Sequence, residues 1–190
     1  MKSALRIIIF VIVMGTVSGG MLIGLNAFTS PIIEKNEELK LKSSMLEVLE
    51  IPYVKEAALG LFDKQVTVLK KDAYTFYRGP DGAVAFEFKG SGLWGPVYGI
   101  ASINADLKTI KTIKILHQEE TPGLGARIAE KEYLSQFKNK EFVPRLIFVP
   151  AGKAKANNEV DAITGATGSS KALEKLLNDT IQKNVGMLKG

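Results

Sequence analysis

The run Asp161-Ala162-Ile163-Thr164-Gly165-Ala166-Thr167-Gly168-Ser169-Ser170 follows an apolar, strand-like segment and precedes a helical pattern. It therefore reads as a strand-to-helix turn. Gly165 and Ala166 are small, so a bulky group can approach the backbone closely. Leu173, Leu176, Leu177 and Ile181 then recur at helical spacing. Ser169 or Ser170 is the expected N-cap, which puts Thr167 just ahead of a helix N-terminus. Free N–H groups and the positive end of the helix dipole favour a phosphate at such a place. The segment is not a P-loop, because Ser169 and Ser170 separate Gly168 from Lys171. It is not a dinucleotide fingerprint either, because it offers only Gly-x-x-Gly. Standing alone, Gly-Ala-Thr-Gly would be an ordinary turn and cap without a ligand.

Working outward, alternating apolar and polar residues predict strands over Ala73–Tyr77 and Ala83–Lys89, joined through Gly79-Pro80-Asp81-Gly82. Val97–Asn104 and Thr109–His117 predict a second strand pair turning near Asp106. Gly125–Phe137 reads as a short amphipathic helix, Arg145–Val149 as a strand ending at Pro150, and Lys153–Glu159 as a polar loop. Lys55–Lys71 has no clear period. Pro31 is expected to open a separate helix reaching about Leu49, with Ile33, Leu39, Met45, Leu46 and Leu49 as its apolar face. The expected fold is α+β: a single N-terminal transmembrane helix, then a mostly antiparallel sheet domain with packed helices.

No charged residue occurs from Ile7 to Phe28. As a helix this run would be about 33 Å long, enough to cross a hydrocarbon core of about 30 Å. Lys2 and Arg6 precede it, whereas Glu34, Lys35, Glu37, Glu38 and Lys40 nearly cancel after it. The positive-inside rule then puts the N-terminus in the cytoplasm and the domain on the extracytoplasmic side. The run exceeds the 7–15 residues of a signal-peptide core, so a retained anchor is expected. Gly15 with Gly19, and Gly20 with Gly24, make small-xxx-small pairs that let another membrane helix approach.

The chain carries 25 Lys and Arg, 20 Asp and Glu, one His and no Cys. Without cysteine there is no disulfide, thiolate chemistry or iron–sulfur ligation. A single histidine argues against a histidine-built metal site. Basic residues are scattered among acids without interleaved aromatics, so nucleic-acid binding has no support.

Two further segments turn the first from a bland turn into a signal. They are Gly90-Ser91-Gly92-Leu93-Trp94-Gly95-Pro96-Val97-Tyr98-Gly99 and Glu120-Thr121-Pro122-Gly123-Leu124-Gly125. With Thr164-Gly165-Ala166-Thr167 they resemble, in order and spacing, the motifs of the FMN-binding domain family. Within it the chain resembles G subunits of Rnf-type ion-translocating ferredoxin:NAD oxidoreductases, with C subunits of sodium-translocating NADH:quinone reductases as near relatives. Its length leans toward the former, and the spelling Leu93-Trp94 toward the latter.

The resemblance implies FMN attached covalently to Thr167 by a phosphoester bond. It implies cofactor contacts from Trp94, Glu120, Thr121, Gly123, Leu124, Gly165 and Ala166. Asp161, Thr164, Gly165 and Ala166 would be recognised by a flavin transferase that uses FAD and Mg²⁺ during maturation. Glu120 is expected to orient its loop or touch the ribityl chain, and Leu124 and Trp94 to pack on the ring. A lone Trp is otherwise more often core. His117 is given no catalytic role, and no residue is expected to catalyse turnover or bind metal. The expected organisation is an anchor over 1–30, a helical stalk and domain start over 31–79, and the FMN-binding domain over 80–190. The implied function is electron relay within a membrane complex, with the other complex subunits as partners. The rival from another class is a membrane-anchored scaffold domain without redox activity.

Overall fold

The structure is a computed structural model and describes residues 2–189. Helix α1 (Lys2–Val48) is followed by a 3-10 turn (Lys55–Ala57) and α2 (Ala58–Gln65). Five strands come next: β1 (Thr67–Lys71), β2 (Tyr74–Arg78), β3 (Val84–Ser91), β4 (Pro96–Ile103) and β5 (Ile110–His117). A 3-10 turn (Gly125–Ala129), α3 (Lys131–Ser135), β6 (Ile147–Val149), β7 (Glu159–Asp161) and α4 (Thr167–Lys189) complete the chain. Residues to 41 form one compact unit and those from 42 a second.

In the first unit, α1 is long and apolar enough to cross a membrane. Pro31 lies inside this helix rather than opening a new one. Proline removes one N–H, here the donor to the carbonyl of Ala27. That single loss does not end the helix here.

In the second unit, β1 to β5 form an antiparallel meander in sequence order. This is the α+β arrangement that the alternating segments imply. The period of two separates the faces cleanly. Phe86, Ala101 and Ile113 are cross-strand neighbours on one face, and Ala85, Ser102 and Thr112 on the other. The first face joins Phe76, Phe88, Ile103 and Ile110 to Leu173, Leu177, Ile181 and Val185 of α4 in one core cluster. The spacing of those α4 residues is the helical one read from the sequence. Residues 42–48 of α1 belong to the second unit, and the Ser102 hydroxyl donates to the carbonyl of Val48.

Short elements are where sequence and structure part. The unread segment 55–71 holds α2 and β1. The helix expected over Gly125–Phe137 is split, because Glu130 is extended at φ −70°, ψ 136°. The expected strand over Arg145–Val149 is reduced to β6, which pairs in parallel with β7. Asn178 on α4 holds the entry to β6: its amide oxygen accepts from the Leu146 N–H at 2.8 Å, and its amide nitrogen donates to the Leu146 carbonyl at 3.0 Å.

Candidate functional site

The three glycine-rich segments, far apart in sequence, meet where α4 begins. Thr167 is the first residue of α4 and is exposed. It lies one step inside the helix, not ahead of it as the expected Ser169 or Ser170 cap would require. The serine hydroxyls have other partners. Ser170 Oγ accepts from the Ile163 N–H at 3.0 Å and donates to the Ala166 carbonyl. Ser169 Oγ donates to Glu120 Oε2 at 2.6 Å. The Ala166 carbonyl also accepts the Ser170 N–H, so the helix closes on Ala166. The N–H groups of a helix's first turn have no intrahelical acceptor, and Thr167 heads that turn. Gly165 supplies the preceding bend with a φ of +80°, a conformation that side-chain-bearing residues rarely adopt.

Glu120 is the hub. It is only 4% exposed. Its Oε1 accepts from the Leu93 N–H at 2.7 Å and the Trp94 N–H at 3.3 Å, while Oε2 takes the Ser169 hydroxyl. Its own N–H is capped by the Gln118 side-chain oxygen at 2.6 Å. Both carboxylate oxygens thus serve the protein's own loops. Glu120 is expected from the sequence to orient its loop or touch the ribityl chain, and the hydrogen bonds seen here are to the Leu93-Trp94 backbone and to Ser169. The room for this carboxylate comes from glycine: an added Cβ at Gly92 would collide with Oε1, and one at Gly125 would lie 2.8 Å from Oε2.

Around Thr167 the surface is apolar and open. Trp94 is 72% exposed, Leu93 52% and Leu124 46%. Trp94 is therefore not a core residue. An added Cβ at Gly168 would lie 2.7 Å from Leu93 Cδ2, and one at Gly165 would lie 3.4 Å from Leu124 Cδ2. Leu93 and Leu124 accordingly sit against the two glycines that flank Thr167. Thr121, Pro122 and Gly123 are exposed beside them in a tight turn, where the Thr121 carbonyl accepts from Leu124 and Ala126. The surface could take the flat face of an aromatic ring system tethered at Thr167.

A cleft of about 360 Å³ opens on the other side of Thr167, lined by Phe148, Pro150, Ile163, Thr164 and Lys171 among others. Lys171 lies one turn after Thr167 on α4, where residues four apart face the same way. Its ammonium is available to a negative charge carried at Thr167. Thr164 and Gly165 are exposed, whereas Ala166 is buried. Asp161 is half-buried, and its Oδ1 accepts from the N–H groups of Lys153 and Ala154 at 3.0 and 2.9 Å. It therefore shapes the loop behind the turn. His117 has Nε2 3.2 Å from Glu119 Oε1 and its ring against Tyr98. The roles of Ser169 as a bridge and of Gly92 and Gly125 as makers of space were not readable from local spacing. Ser169 meets its partner 49 residues away in sequence, and the glycines make room for the same distant carboxylate. Among the described residues no group of His, Cys, Asp and Glu could hold a metal ion.

Residues 92–182 match the model of the FMN-binding domain family. The chain is 33% identical over 114 residues to the C subunit of the Na(+)-translocating NADH-quinone reductase of Pasteurella multocida, covering 57% of this chain and 42% of that one. It is 39% identical over 92 residues to the G subunit of the Na(+)-translocating ferredoxin:NAD(+) oxidoreductase complex of Acetobacterium woodii, covering 48% and 44%. The chain thus spans less than half the length of both. Against the G subunit of the ion-translocating oxidoreductase complex of Methanosarcina acetivorans, identity is 26% over 185 residues, covering 95% and 94%. The fold is shared with the crystal structure of the C subunit of the Na(+)-translocating NADH-quinone reductase from Parabacteroides distasonis. There the TM-score is 0.72 at 24% identity, covering 84% of this chain and 96% of that one.

Proposed function

We propose that this chain is the FMN-bearing electron-relay subunit of a membrane ion-translocating ferredoxin:NAD oxidoreductase of the Rnf type, with FMN held as a phosphoester on Thr167. The observation that carries the reading is the placement of an exposed Thr167 at the head of α4, where all three motif segments meet. Attachment would form a bond from Thr167 Oγ1 to the FMN phosphorus of FAD and break the FAD pyrophosphate. AMP leaves, and the hydroxyl proton goes to the transferase or solvent. The ester keeps one negative charge, which the first-turn N–H groups and Lys171 favour. Thr164 and Gly165 are surface features that a transferase can read, while Ala166 and Asp161 set the shape of the turn. Leu93, Trp94 and Leu124 would cover one face of the ring, with Thr121 and Gly123 at its edge. The flavin supplies the electron chemistry, and the protein supplies position and environment.

The long apolar helix supports a single-pass anchor in the cytoplasmic membrane, with the FMN domain on the extracytoplasmic side. An added Cβ at Gly15, Gly19, Gly20 or Gly24 meets nothing within 4 Å, so these positions are open to helices of partner subunits. The match to the Methanosarcina relative over nearly the whole length of both chains favours the G-type assignment. Leu93-Trp94 and the Pasteurella relative favour a C-type subunit of a sodium-translocating NADH:quinone reductase as the second reading.

The test is co-expression with a flavin transferase followed by peptide mass spectrometry. The peptide containing Thr167 should carry FMN, and Thr167→Ala should abolish denaturation-resistant flavin while the domain still folds. Flavin that survives denaturation in Thr167→Ala would put the attachment elsewhere. An unmodified wild-type chain would favour a scaffold domain.

A further inference from the structure

We infer that Glu120 is a positioning residue that fixes the Trp94 loop against the head of α4, so that the ring-covering side chains and Thr167 are held at one spacing. This inference rests on the flavin reading of the site for its purpose, though not for its geometry. A buried carboxylate with three donors is costly to leave unsatisfied. Here the donors come from two places, the Leu93-Trp94 backbone and Ser169, separated from Glu120 by 27, 26 and 49 residues. The loop's own bond is a single turn, from the Gly92 N–H to the Gly95 carbonyl at 2.8 Å. Beyond that turn, Leu93 and Trp94 project into solvent, with Leu93 alone leaning on Gly168. Glu120 is therefore the polar link that ties this loop to the residue two places after Thr167. Gly92 and Gly125 both lack the Cβ that would fill the carboxylate's place.

The geometry sets what substitutions should do. Aspartate is one methylene shorter and cannot reach Leu93 and Ser169 together. Glutamine keeps the length: its oxygen accepts from Leu93, and its amide donates to the Ser169 oxygen after the hydroxyl rotates. Ser169→Ala deletes only the helix side of the link. A buried glutamate that merely adds stability would change the melting temperature in these variants without releasing Trp94.

Trp94 is the single tryptophan of the chain, so its fluorescence reports this loop without a label. The experiment uses the full chain in detergent, first without flavin transferase. Glu120→Asp and Ser169→Ala should lower Trp94 anisotropy at temperatures where far-UV circular dichroism shows a folded domain. Glu120→Gln should stay near wild type. In flavinylated protein, quenching of Trp94 by FMN should be lost in step with the anisotropy. Should Glu120→Asp fail to fold, Ser169→Ala decides the matter alone. Wild-type anisotropy in the folded variants overturns the inference, as does a Glu120→Gln chain as loose as Glu120→Asp. The unflavinylated measurement stands whether or not Thr167 carries FMN, and absence of FMN from the wild-type peptide counts only against the function proposed above.

Discussion

The sheet and the motif cluster are built on opposite rules. On the sheet, large apolar groups go inside: Phe76, Phe86, Ile103 and Ile110 are at most 1% exposed. In the cluster a carboxylate goes inside, and tryptophan and leucine stay out. Burying one large apolar side chain contributes roughly 1.5–3 kcal/mol. Leaving Leu93, Trp94 and Leu124 exposed therefore forgoes several kcal/mol of folding energy. The sheet is arranged for stability, whereas the cluster leaves these side chains open, as the flavin site proposed above requires. The carboxylates of the two regions make the same contrast: Asp81 of the sheet hairpin has a half-exposed side chain, and Glu120 is buried.

The sharpest way to break this contrast is to damage the sheet and watch the cluster. Phe86 packs edge-on to Phe76 with ring centroids 6.4 Å apart. Phe86→Ala should cost about 3–5 kcal/mol through lost burial and a residual cavity. In urea the unfolding midpoint should fall, with the Trp94 signal and circular dichroism still moving together. If Trp94 unfolded at an unchanged midpoint, the cluster would be independent of the sheet beneath it.

A smaller change reverses the attack. Gly125→Ala would set a Cβ against Ser169 Oγ and 3.0 Å from Glu120 Cβ. Overpacking of this kind costs about 1–3 kcal/mol. The sheet should keep its circular dichroism while Trp94 emission shifts and flavin attachment at Thr167 falls. A Gly125→Ala chain with wild-type Trp94 emission and melting temperature would mean that the cluster is less tightly packed than its glycines imply.

The contrast also explains what could be read from the sequence. Strands β2, β3 and β5 were legible because burial alternates along much of each, β4 by its apolar content although it is buried on both faces from Gly99 to Ile103, and turn residues such as Gly79-Pro80-Asp81-Gly82 mark the reversals. The α4 face was legible for the same reason at the helical period. The three segments were legible through family resemblance, because motif residues are local. What joins the segments was not. The Glu120–Ser169 bond depends on tertiary placement, and no period records it. The same bond misled the reading of the helix start, since Ser169 and Ser170 look like caps but serve other partners. Short elements failed for a different cause: β6 and β7 have three residues each, too few to show a period. The split before α3 turns on one extended residue, Glu130.

The smallest expected effect returns to the two carboxylates. Asp81 accepts from the Lys111 ammonium at Oδ2 and from the Ala83 N–H at Oδ1, 3.2 Å away. Partial burial raises its pKa, but the Lys111 bond and the Ala83 N–H outweigh that, and the net shift is downward. A carboxylate with a depressed folded pKa stabilises the fold above its unfolded value, and that contribution is lost as pH falls through the folded one. The unfolded value is about 3.9, so the loss belongs to strongly acid solution. Asp81→Asn keeps an oxygen for Ala83 but leaves the Lys111 ammonium, whose side chain is 10% exposed, without its counter-charge. Because the Asp81 side chain is 51% exposed, solvent screening holds the cost to on the order of 1 kcal/mol. Urea midpoints measured from neutral to strongly acid pH should show the variant below wild type at the neutral end. The two curves should converge as Asp81 protonates. Curves that coincided across the range would show that the pair contributes nothing, and that the half-exposed carboxylate of the sheet, unlike the buried one of the cluster, could be dispensed with.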